Sequence, residues 1–289
     1  MATIPAALPA SVTVIEGRGG LPALSVTTSR CAGEVYLQGA HVTAWQPAGQ
    51  APVLWMSKAS TFAPGEPIRG GVPVCAPWFG TGRDGDKAPA HGWFRLAEWQ
   101  LTAAEDIDGA VRLTFHLDGA SVDHPGISAD YVVGLGDELT LELTVATEQP
   151  LVLEEAVHTY LAVGDITRAS VTGLDASTYV DKAPGGVADN PQSGDVTFTG
   201  ETDRVYDHTG SATVVDPALG RRITVAKDGS ANTVVWNPWV AKSAAMPDFG
   251  DDEWPSMVCL EAANALTGAV ELAGGGRHTL RATYAVSAI

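Results

Sequence analysis

Apolar and polar residues alternate along much of this chain, and the alternation predicts β-strands. The segments VRLTFHL (111–117) and ELTLELTVATE (138–148) show it most regularly. A period of two places successive side chains on opposite faces of an extended strand. Further strands are predicted at GEVYLQ (33–38), ATVVD (212–216), NTVVWN (232–237) and HTLRATYAV (278–286). Glycine-rich turn sequences such as IDGA, LGDE and AGGGR lie between strands.

Long amphipathic helical patterns are absent from the sequence. The pattern therefore predicts an all-β protein, a large antiparallel β-sandwich of many strands. No fixed-period repeat and no linker rich in glycine and serine divides the chain. We expect one domain over residues 1–289.

One alternating segment, LVLEEAVHTYLAV (151–163), carries a histidine. Its odd positions are mostly apolar, so the period of two directs His158 to the face away from the core. Glu261 interrupts a second apolar strand, SMVCLEAAN (256–264), and a buried carboxylate needs a partner because an isolated buried charge is costly. A lone strand histidine is more often structural than catalytic. Together the two residues form a candidate acid–base pair.

Three segments break the alternation and concentrate unusual residues, namely 66–95, 200–206 and 235–254, and the first and last are rich in Trp, Pro and Gly. Loops of this kind on a β scaffold commonly carry binding sites. In HGWFR, alternation predicts that His91, Trp93 and Arg95 share one face. Arg69 precedes Gly-Gly-x-Pro, which predicts a tight turn. Arginine suits phosphate or carboxylate because its planar fork donates paired, charge-assisted hydrogen bonds.

Two other candidate groups stay ambiguous from the residues alone. The first group is Trp236, Trp239 and Trp254. Tryptophan is commonly a core residue, but an indole face also stacks on a sugar ring. Asp203 in ETDRVY suits either a turn or salt bridge, or the binding of a hydroxyl pair.

Composition limits the partners and the compartment. The net charge of −17 repels nucleic acid and anionic membranes, so neither is expected as a partner, and an anionic substrate needs a local cationic pocket. The three cysteines contain no CxxC pair, which argues against a disulfide scaffold or zinc site and favours a reducing compartment. The chain has no long apolar run and no signal-peptide pattern at its N-terminus. We expect a cytoplasmic protein.

Ordered segments from about residue 36 to residue 264 resemble the D-hexose-6-phosphate mutarotases, the glucose-6-phosphate 1-epimerase branch of the aldose 1-epimerase family. The matching segments are QGAHVTAWQP, PVLWMS, IRGGVPVCAPWFG, HGWFR, HTYLAVGDI, GETDRVY, VVWNPWVAKSAAMPDFG and MVCLEAAN. The resemblance implies a galactose-mutarotase-like β-sandwich, in agreement with the strand pattern.

The resemblance also implies roles for individual residues. His158 of the HTY motif is expected as general acid, and Glu261 of the C-[IL]-E motif as general base. The expected substrate-binding residues are Arg69 and Arg95 on a phosphate, Asp203 on a sugar hydroxyl, His91 as a supporting group and Trp236 against the sugar.

The implied activity is interconversion of the α and β anomers of hexose 6-phosphates, with glucose 6-phosphate first, by opening and closing the sugar ring. It requires no cofactor and no metal, and we expect a monomer. Family members often carry Gln where this chain has Ala90, which leaves the preferred sugar open. Arg83 and Lys87 are candidates to compensate.

Two alternatives remain at this point. One is a carbohydrate-active hydrolase in which Glu154 or Asp203 joins Glu261, since glycosidases usually need two carboxylates. The other is a sugar-phosphate-binding protein without turnover.

Overall fold

Short antiparallel strands make up most of the structure, a computed structural model that describes residues 4–289. The strands are β1 (Val12–Glu16), β2 (Pro22–Thr27), β3 (Cys31–Tyr36), β4 (His41–Pro47), β5 (Val74–Cys75), β6 (Gln100–Ile107), β7 (Ala110–Asp118), β8 (Ile127–Leu135), β9 (Leu139–Thr147), β10 (Leu151–Leu153), β11 (Glu155–Val157), β12 (Tyr160–Ala162), β13 (Ser170–Thr172), β14 (Thr178–Asp181), β15 (Asn190–Pro191), β16 (Val196–Thr197), β17 (Thr202–Asp207), β18 (Ala212–Asp216), β19 (Arg221–Asp228), β20 (Asn232–Asn237), β21 (Met257–Asn264), β22 (Val270–Leu272) and β23 (Arg277–Ala288).

Helical structure in the described residues is limited to one short α-helix and four 3₁₀ turns. The helix is α1 (Trp239–Ala245), and the turns are Arg18–Gly20, Gly119–Val122, Trp254–Ser256 and Leu266–Gly268. No helix within residues 4–289 has the length and apolar character needed to cross a membrane.

Two large sheets form the two layers of the molecule. One has nine strands in the order β16-β13-β18-β19-β23-β9-β8-β7-β6. The other has eight, in the order β15-β14-β17-β20-β21-β11-β5, with β12 also paired to β21. A four-stranded sheet, β1-β2-β3-β4, and the pair β10-β22 complete the architecture. The predicted antiparallel β-sandwich is confirmed; one domain for the whole chain stays a prediction.

The main core lies between the two large sheets. From β21 it receives Val258, Leu260 and Ala262, and from the nine-stranded sheet residues such as Phe115 and Leu143. Each large side chain that is fully buried contributes about 1.5–3 kcal/mol. Strands β20 and β21 are buried at every residue because loops cover the other face of their sheet. That second face holds the chemistry.

Most predicted strands are observed, but segment 151–163 is not one continuous strand. It forms β10, β11 and β12, with His158 and Thr159 in the break between the last two. The Thr159 N–H bonds locally to the Val157 carbonyl, and the Thr159 hydroxyl shares a 2.6 Å hydrogen bond with the Tyr284 hydroxyl of β23. The predicted alternation of faces holds from 156 to 163.

The prediction that His91, Trp93 and Arg95 share a strand face is wrong. This segment is a series of turns, in which His91 has a φ of +66°. Trp93 stacks on His124, with ring centroids 4.5 Å apart, and faces a separate surface hollow. Gly92 explains the turn, since a Cβ there would lie 1.9 Å from the Ala76 carbonyl oxygen.

Glu155 of β11 is buried at the edge of the eight-stranded sheet. Its Oε1 accepts a 3.0 Å hydrogen bond from Asn264 Nδ2 and lies 3.3 Å from His278 Nε2, while its Oε2 has no partner. Burial raises the pKa of Glu155 from 4.5 to about 8, against the opposing effect of the Asn264 bond. The folded protein therefore favours the protonated carboxyl.

This carboxyl predicts a pH dependence of stability. The unfolded chain ionises Glu155 above about pH 4.5, whereas the folded protein does so only near pH 8. The contribution of Glu155 to the free energy of unfolding is thus complete below the pKa of the unfolded chain and is lost as the pH rises through the pKa of the folded protein. The loss is at most about 1.4 kcal/mol per pH unit. Glu155→Gln should show a shallower loss of urea-unfolding free energy over this window than wild type.

The exposed Glu271 provides the matched control. Glu271→Gln should follow the wild-type curve. Parallel curves for wild type and Glu155→Gln would contradict the prediction.

Candidate active site

The strand register places His158 directly opposite Glu261. On either side of this position β21 pairs with the segment 155–162 in one unbroken register, with Val157 opposite Ala262 and Tyr160 opposite Cys259. Residues opposite each other on antiparallel strands point their side chains to the same face. The two predicted residues are therefore cross-strand neighbours on the face away from the main core.

The imidazole and the carboxyl group meet without other partners. His158 Nδ1 lies 3.5 Å from Glu261 Oε1, and neither this nitrogen nor either carboxyl oxygen has a hydrogen-bond partner among the described residues. Glu261 is 1% exposed and His158 8% exposed, so the site is reached from the histidine side. The second ring nitrogen, Nε2, is left for a ligand.

Burial disfavours charge on both members of the pair. Burial first, and then the negative charge of Asp203, raises the pKa of Glu261 well above its usual range. Burial first, and then the positive charges of Arg69 and Arg95, lowers the pKa of His158 to about 3. Without a ligand, the site favours protonated Glu261 and neutral His158.

A row of side chains crosses the sheet beside this pair. In register, β17, β20, β21 and β12 bring together Asp203, Trp236, Cys259 and Tyr160. The Tyr160 ring stacks on the His158 ring, with centroids 4.9 Å apart and planes 15° apart. The Trp236 ring stands nearly perpendicular to the imidazole, at 72°. These aromatic walls fix the orientation of the catalytic candidate.

His91 and Phe79 close the site from the loop side. The His91 ring is 5.4 Å from that of His158, and the Phe79 ring packs edge-on against His91 at 4.9 Å. The Gly80 N–H donates to His91 Nδ1 over 3.3 Å, so the His91 proton lies on Nε2. Burial and the neighbouring His158 and Arg95 hold the pKa of His91 well below its usual value. His91 is a neutral hydrogen-bond donor.

Arg69 lies at the site, but its guanidinium is already engaged. Nε and Nη2 donate to the two carboxylate oxygens of Asp248, over 3.1 and 3.3 Å, and Nη1 donates to the Tyr160 hydroxyl over 2.9 Å. The turn that presents it needs glycine, since a Cβ on Gly71 would lie 2.3 Å from the Val42 carbonyl oxygen. Arg69 therefore positions Tyr160, and through it His158. A contact between Arg69 and phosphate stays a prediction.

Two other cations at the rim have unused donors. Arg95 donates through Nη2 to the Ala90 carbonyl over 2.7 Å, while its buried Nε has no partner. Lys182 follows β14, is exposed, and places Nζ 5.2 Å from the centre of the Phe79 ring. It forms no ion pair with any residue in the described part of the chain. Both cations are near enough to the pair of His158 and Glu261, the dyad, for their positive charge to lower the pKa of His158.

Comparison with known proteins agrees with this geometry. The sequence model of the aldose 1-epimerases matches residues 22–285. The chain belongs to the aldose 1-epimerase family. Its relatives include two proteins named as glucose-6-phosphate 1-epimerases. The one from Escherichia coli K12 is 39% identical over 79% of this chain and 78% of its own length. The one from Cenchrus ciliaris is 30% identical over 81% and 75%.

Solved structures show the same family and fold. A Salmonella typhimurium protein described as a mutarotase superimposes with a TM-score of 0.85 and 31% identity, covering 96% of this chain and 97% of that one. A galactose 1-epimerase from Lactobacillus acidophilus superimposes with a TM-score of 0.69 over 98% of this chain and 99% of its own, at 14% identity, and shares the fold alone.

Several sequence candidates lie outside the site of this family member. Arg83 and Lys87 line a separate surface hollow. The carboxylate of Glu154 faces that hollow and accepts from the backbone N–H groups of Arg83 and Leu266, over 2.9 and 2.8 Å. Trp239 and Trp254 pack on each other with ring centroids 4.2 Å apart. Neither cation compensates for Ala90 at the dyad.

Other site residues were not predicted from the sequence. Lys182, Asp248 and Phe79 belong to loops without any alternating pattern, so no period assigns them a face. Tyr160 and Cys259 offered a usable signal. Each lies two positions from a dyad member and therefore shares its face.

Loss of the Asp248 charge should destabilise the fold. Its ion pair with Arg69 is only about one-fifth exposed. Asp248→Asn keeps the shape but leaves a mostly buried guanidinium without its counter-charge, so the free energy of unfolding should fall by about 1–3 kcal/mol. Urea unfolding measures the change. Asp252→Asn, on the exposed part of the same loop, is the control and should match wild type; equal midpoints for both variants would contradict the role of the pair.

Proposed function

We propose that this protein interconverts the α and β anomers of hexose 6-phosphates, with glucose 6-phosphate as the expected substrate. The observation that carries the proposal is the unpartnered pair of His158 Nδ1 and Glu261 Oε1, 3.5 Å apart, beneath a rim of cations. The names of the relatives support the same substrate class. A monomer in the cytoplasm is part of this proposal.

The reaction opens a cyclic hemiacetal and closes it on the other face of C1. Glu261 removes the proton of the C1 hydroxyl, and its electron pair forms the C1=O bond. The bond from C1 to the ring oxygen breaks, and that oxygen takes a proton from His158 Nε2. After rotation about C1–C2, the ring hydroxyl attacks the other face, returns its proton to His158, and O1 recovers a proton from Glu261. Atoms and charges balance without a redox group.

His158 and Glu261 share one exchangeable proton throughout this cycle. Before ring opening His158 is protonated and Glu261 is ionised. Afterwards His158 is neutral and Glu261 is protonated, because the sugar has accepted one proton and given up another. The neutral state favoured by burial is the state of the open-chain complex. The charged state is an ion pair across 3.5 Å, which the mutual attraction of its members stabilises. A base with a raised pKa also has the high proton affinity that general base catalysis needs.

Arg95 and Lys182 are the proposed contacts of the substrate phosphate. Both have donors without protein acceptors, and a phosphate dianion accepts several charge-assisted hydrogen bonds. A bound dianion would also offset the Arg95 charge that lowers the His158 pKa, and so favour the protonated histidine at the start of the cycle. Binding through a group that does not react positions the sugar for the step at C1.

Asp203 and Trp236 complete the proposed sugar contacts. Asp203 forms an ion pair with Lys242, Oδ2 to Nζ 3.7 Å, and we assign its remaining lone pairs to sugar hydroxyls. Trp236, 7% exposed, offers an edge of the pocket wall and little ring face. We therefore propose that Trp236 limits the shape of the sugar that fits the pocket and does not stack on the sugar ring. The hydrolase alternative loses its Glu154 form, because Glu154 faces a different hollow.

Removing either member of the dyad should abolish most of the rate. Glu261→Gln and His158→Gln should each slow anomer exchange by about 10²–10⁴-fold, because each removes one proton-transfer partner. Exchange spectroscopy by NMR on glucose 6-phosphate measures the rate. Glu154→Gln is the matched control, a buried carboxylate on the same segment, and should keep the wild-type rate. A folded Glu261→Gln or His158→Gln variant with full rate would end the assignment.

Lys182 should contribute to phosphate affinity and not to chemistry. For Lys182→Ala we expect the inhibition constant of inorganic phosphate and the KM for glucose 6-phosphate to rise about 10-fold, equivalent to about 1.4 kcal/mol, with kcat little changed. Steady-state anomer exchange measures both constants.

The control is Lys87→Ala, an exposed lysine that lies beside Asp86 and away from the dyad. Its constants should match wild type. Unchanged phosphate inhibition in Lys182→Ala would refute the assigned phosphate contact without touching the dyad assignment.

A further inference from the structure

Cys259 adds a thiol to the two catalytic candidates. It lies two residues before Glu261 on β21, so both side chains point to the same face, and it is opposite Tyr160 in the register. One ligand atom each from His158, Cys259 and Glu261 lies within 4.8 Å of the other two. All three residues are buried. Imidazole, thiolate and carboxylate are three ligand types that proteins use to bind zinc.

The atoms of this cluster are available for coordination. His158 Nδ1 and both carboxyl oxygens of Glu261 have no hydrogen-bond partner among the described residues. In a tetrahedral zinc site, with metal–ligand bonds of about 2.0–2.3 Å, neighbouring ligand atoms lie roughly 3.3–3.7 Å apart. The observed 3.5 Å between His158 Nδ1 and Glu261 Oε1 already fits one edge of that tetrahedron. The thiol lies within 4.8 Å of the other two ligand atoms.

We propose that His158, Cys259 and Glu261 form an inhibitory binding site for a thiophilic divalent cation, of the chemical class of Zn²⁺ and Cd²⁺. The cation would take the Glu261 lone pairs that accept the sugar proton, and by occupying His158 Nδ1 it would prevent the imidazolium form that donates from Nε2. The inhibition of anomer exchange rests on the proposed function. The binding of the cation does not.

The donor set decides which cations bind. Mg²⁺ and Ca²⁺ prefer oxygen ligands, whereas a sulfur and an imidazole nitrogen favour zinc and its heavier analogues. Binding converts the Cys259 thiol into a thiolate and the protonated Glu261 into a carboxylate, and both protons are released to solvent. Three protein ligands leave a fourth position for water or a sugar hydroxyl on the open side of His158.

Cd²⁺ titration of the full-length protein, without sugar, tests the site directly. One equivalent should produce the ultraviolet charge-transfer band of a cadmium–thiolate bond. The same titration should inhibit glucose 6-phosphate anomer exchange, while Mg²⁺ at equal concentration should not. Cys259→Ala should lose the band and weaken Cd²⁺ affinity at least about 100-fold, since even partners outside the ligand set change metal affinity by 10–100-fold. Each rate is compared with that of the same variant without metal.

The other two cysteines provide controls, because both are buried and neither belongs to the cluster. Cys31→Ala and Cys75→Ala should keep the band and the inhibition. Glu261→Gln, inactive under the proposed function, should still show a weakened band, which separates metal binding from turnover. A band that survives in Cys259→Ala, or that disappears in Cys75→Ala, would overturn the site. Binding by the assigned residues without inhibition would refute the inhibitory role.

Discussion

The antiparallel register between β21 and the segment 155–162 is the constraint on which the site depends. It makes His158 and Glu261 direct cross-strand neighbours, although they are far apart in the sequence. A shift by one residue would turn Glu261 into the main core, where Leu260 and Ala262 now pack, because the side-chain period of a strand is two. The packing that stabilises the sandwich therefore also holds the two candidate catalytic groups at 3.5 Å.

The positively charged side chains around the dyad have different roles. Arg69 is neutralised by Asp248 and holds Tyr160, so it acts as a structural part of the wall. Arg95 and Lys182 keep unused donors at the rim. In a protein with a net charge of −17, such a local reserve of positive charge is what attracts an anionic sugar.

Sequence patterns succeeded where a strand was long and covered on one face. NTVVWN and ATVVD coincide with β20 and β18, and the alternation also assigned His158 to the correct face. The same logic failed for HGWFR, which is a series of turns, because a short loop has no sheet partner to enforce the period. The pairing of Arg69 with Asp248 had no sequence signal, since those residues are brought together only when two loops pack over the sheet.

By itself, the sequence determined the sandwich architecture and the two residues that carry the proposed chemistry. Local alternation is a property of adjacent residues, so it can be read without knowing what packs against the strand. The tertiary structure alone decided that Glu261 and His158 Nδ1 have no hydrogen-bond partner within residues 4–289, that Cys259 joins them, and that Arg69 pairs with Asp248 while Lys182 lies over Phe79. Those facts depend on contacts between loops and strands that are distant in the chain. A local alternation of apolar and polar residues carries no information about the geometry of such contacts.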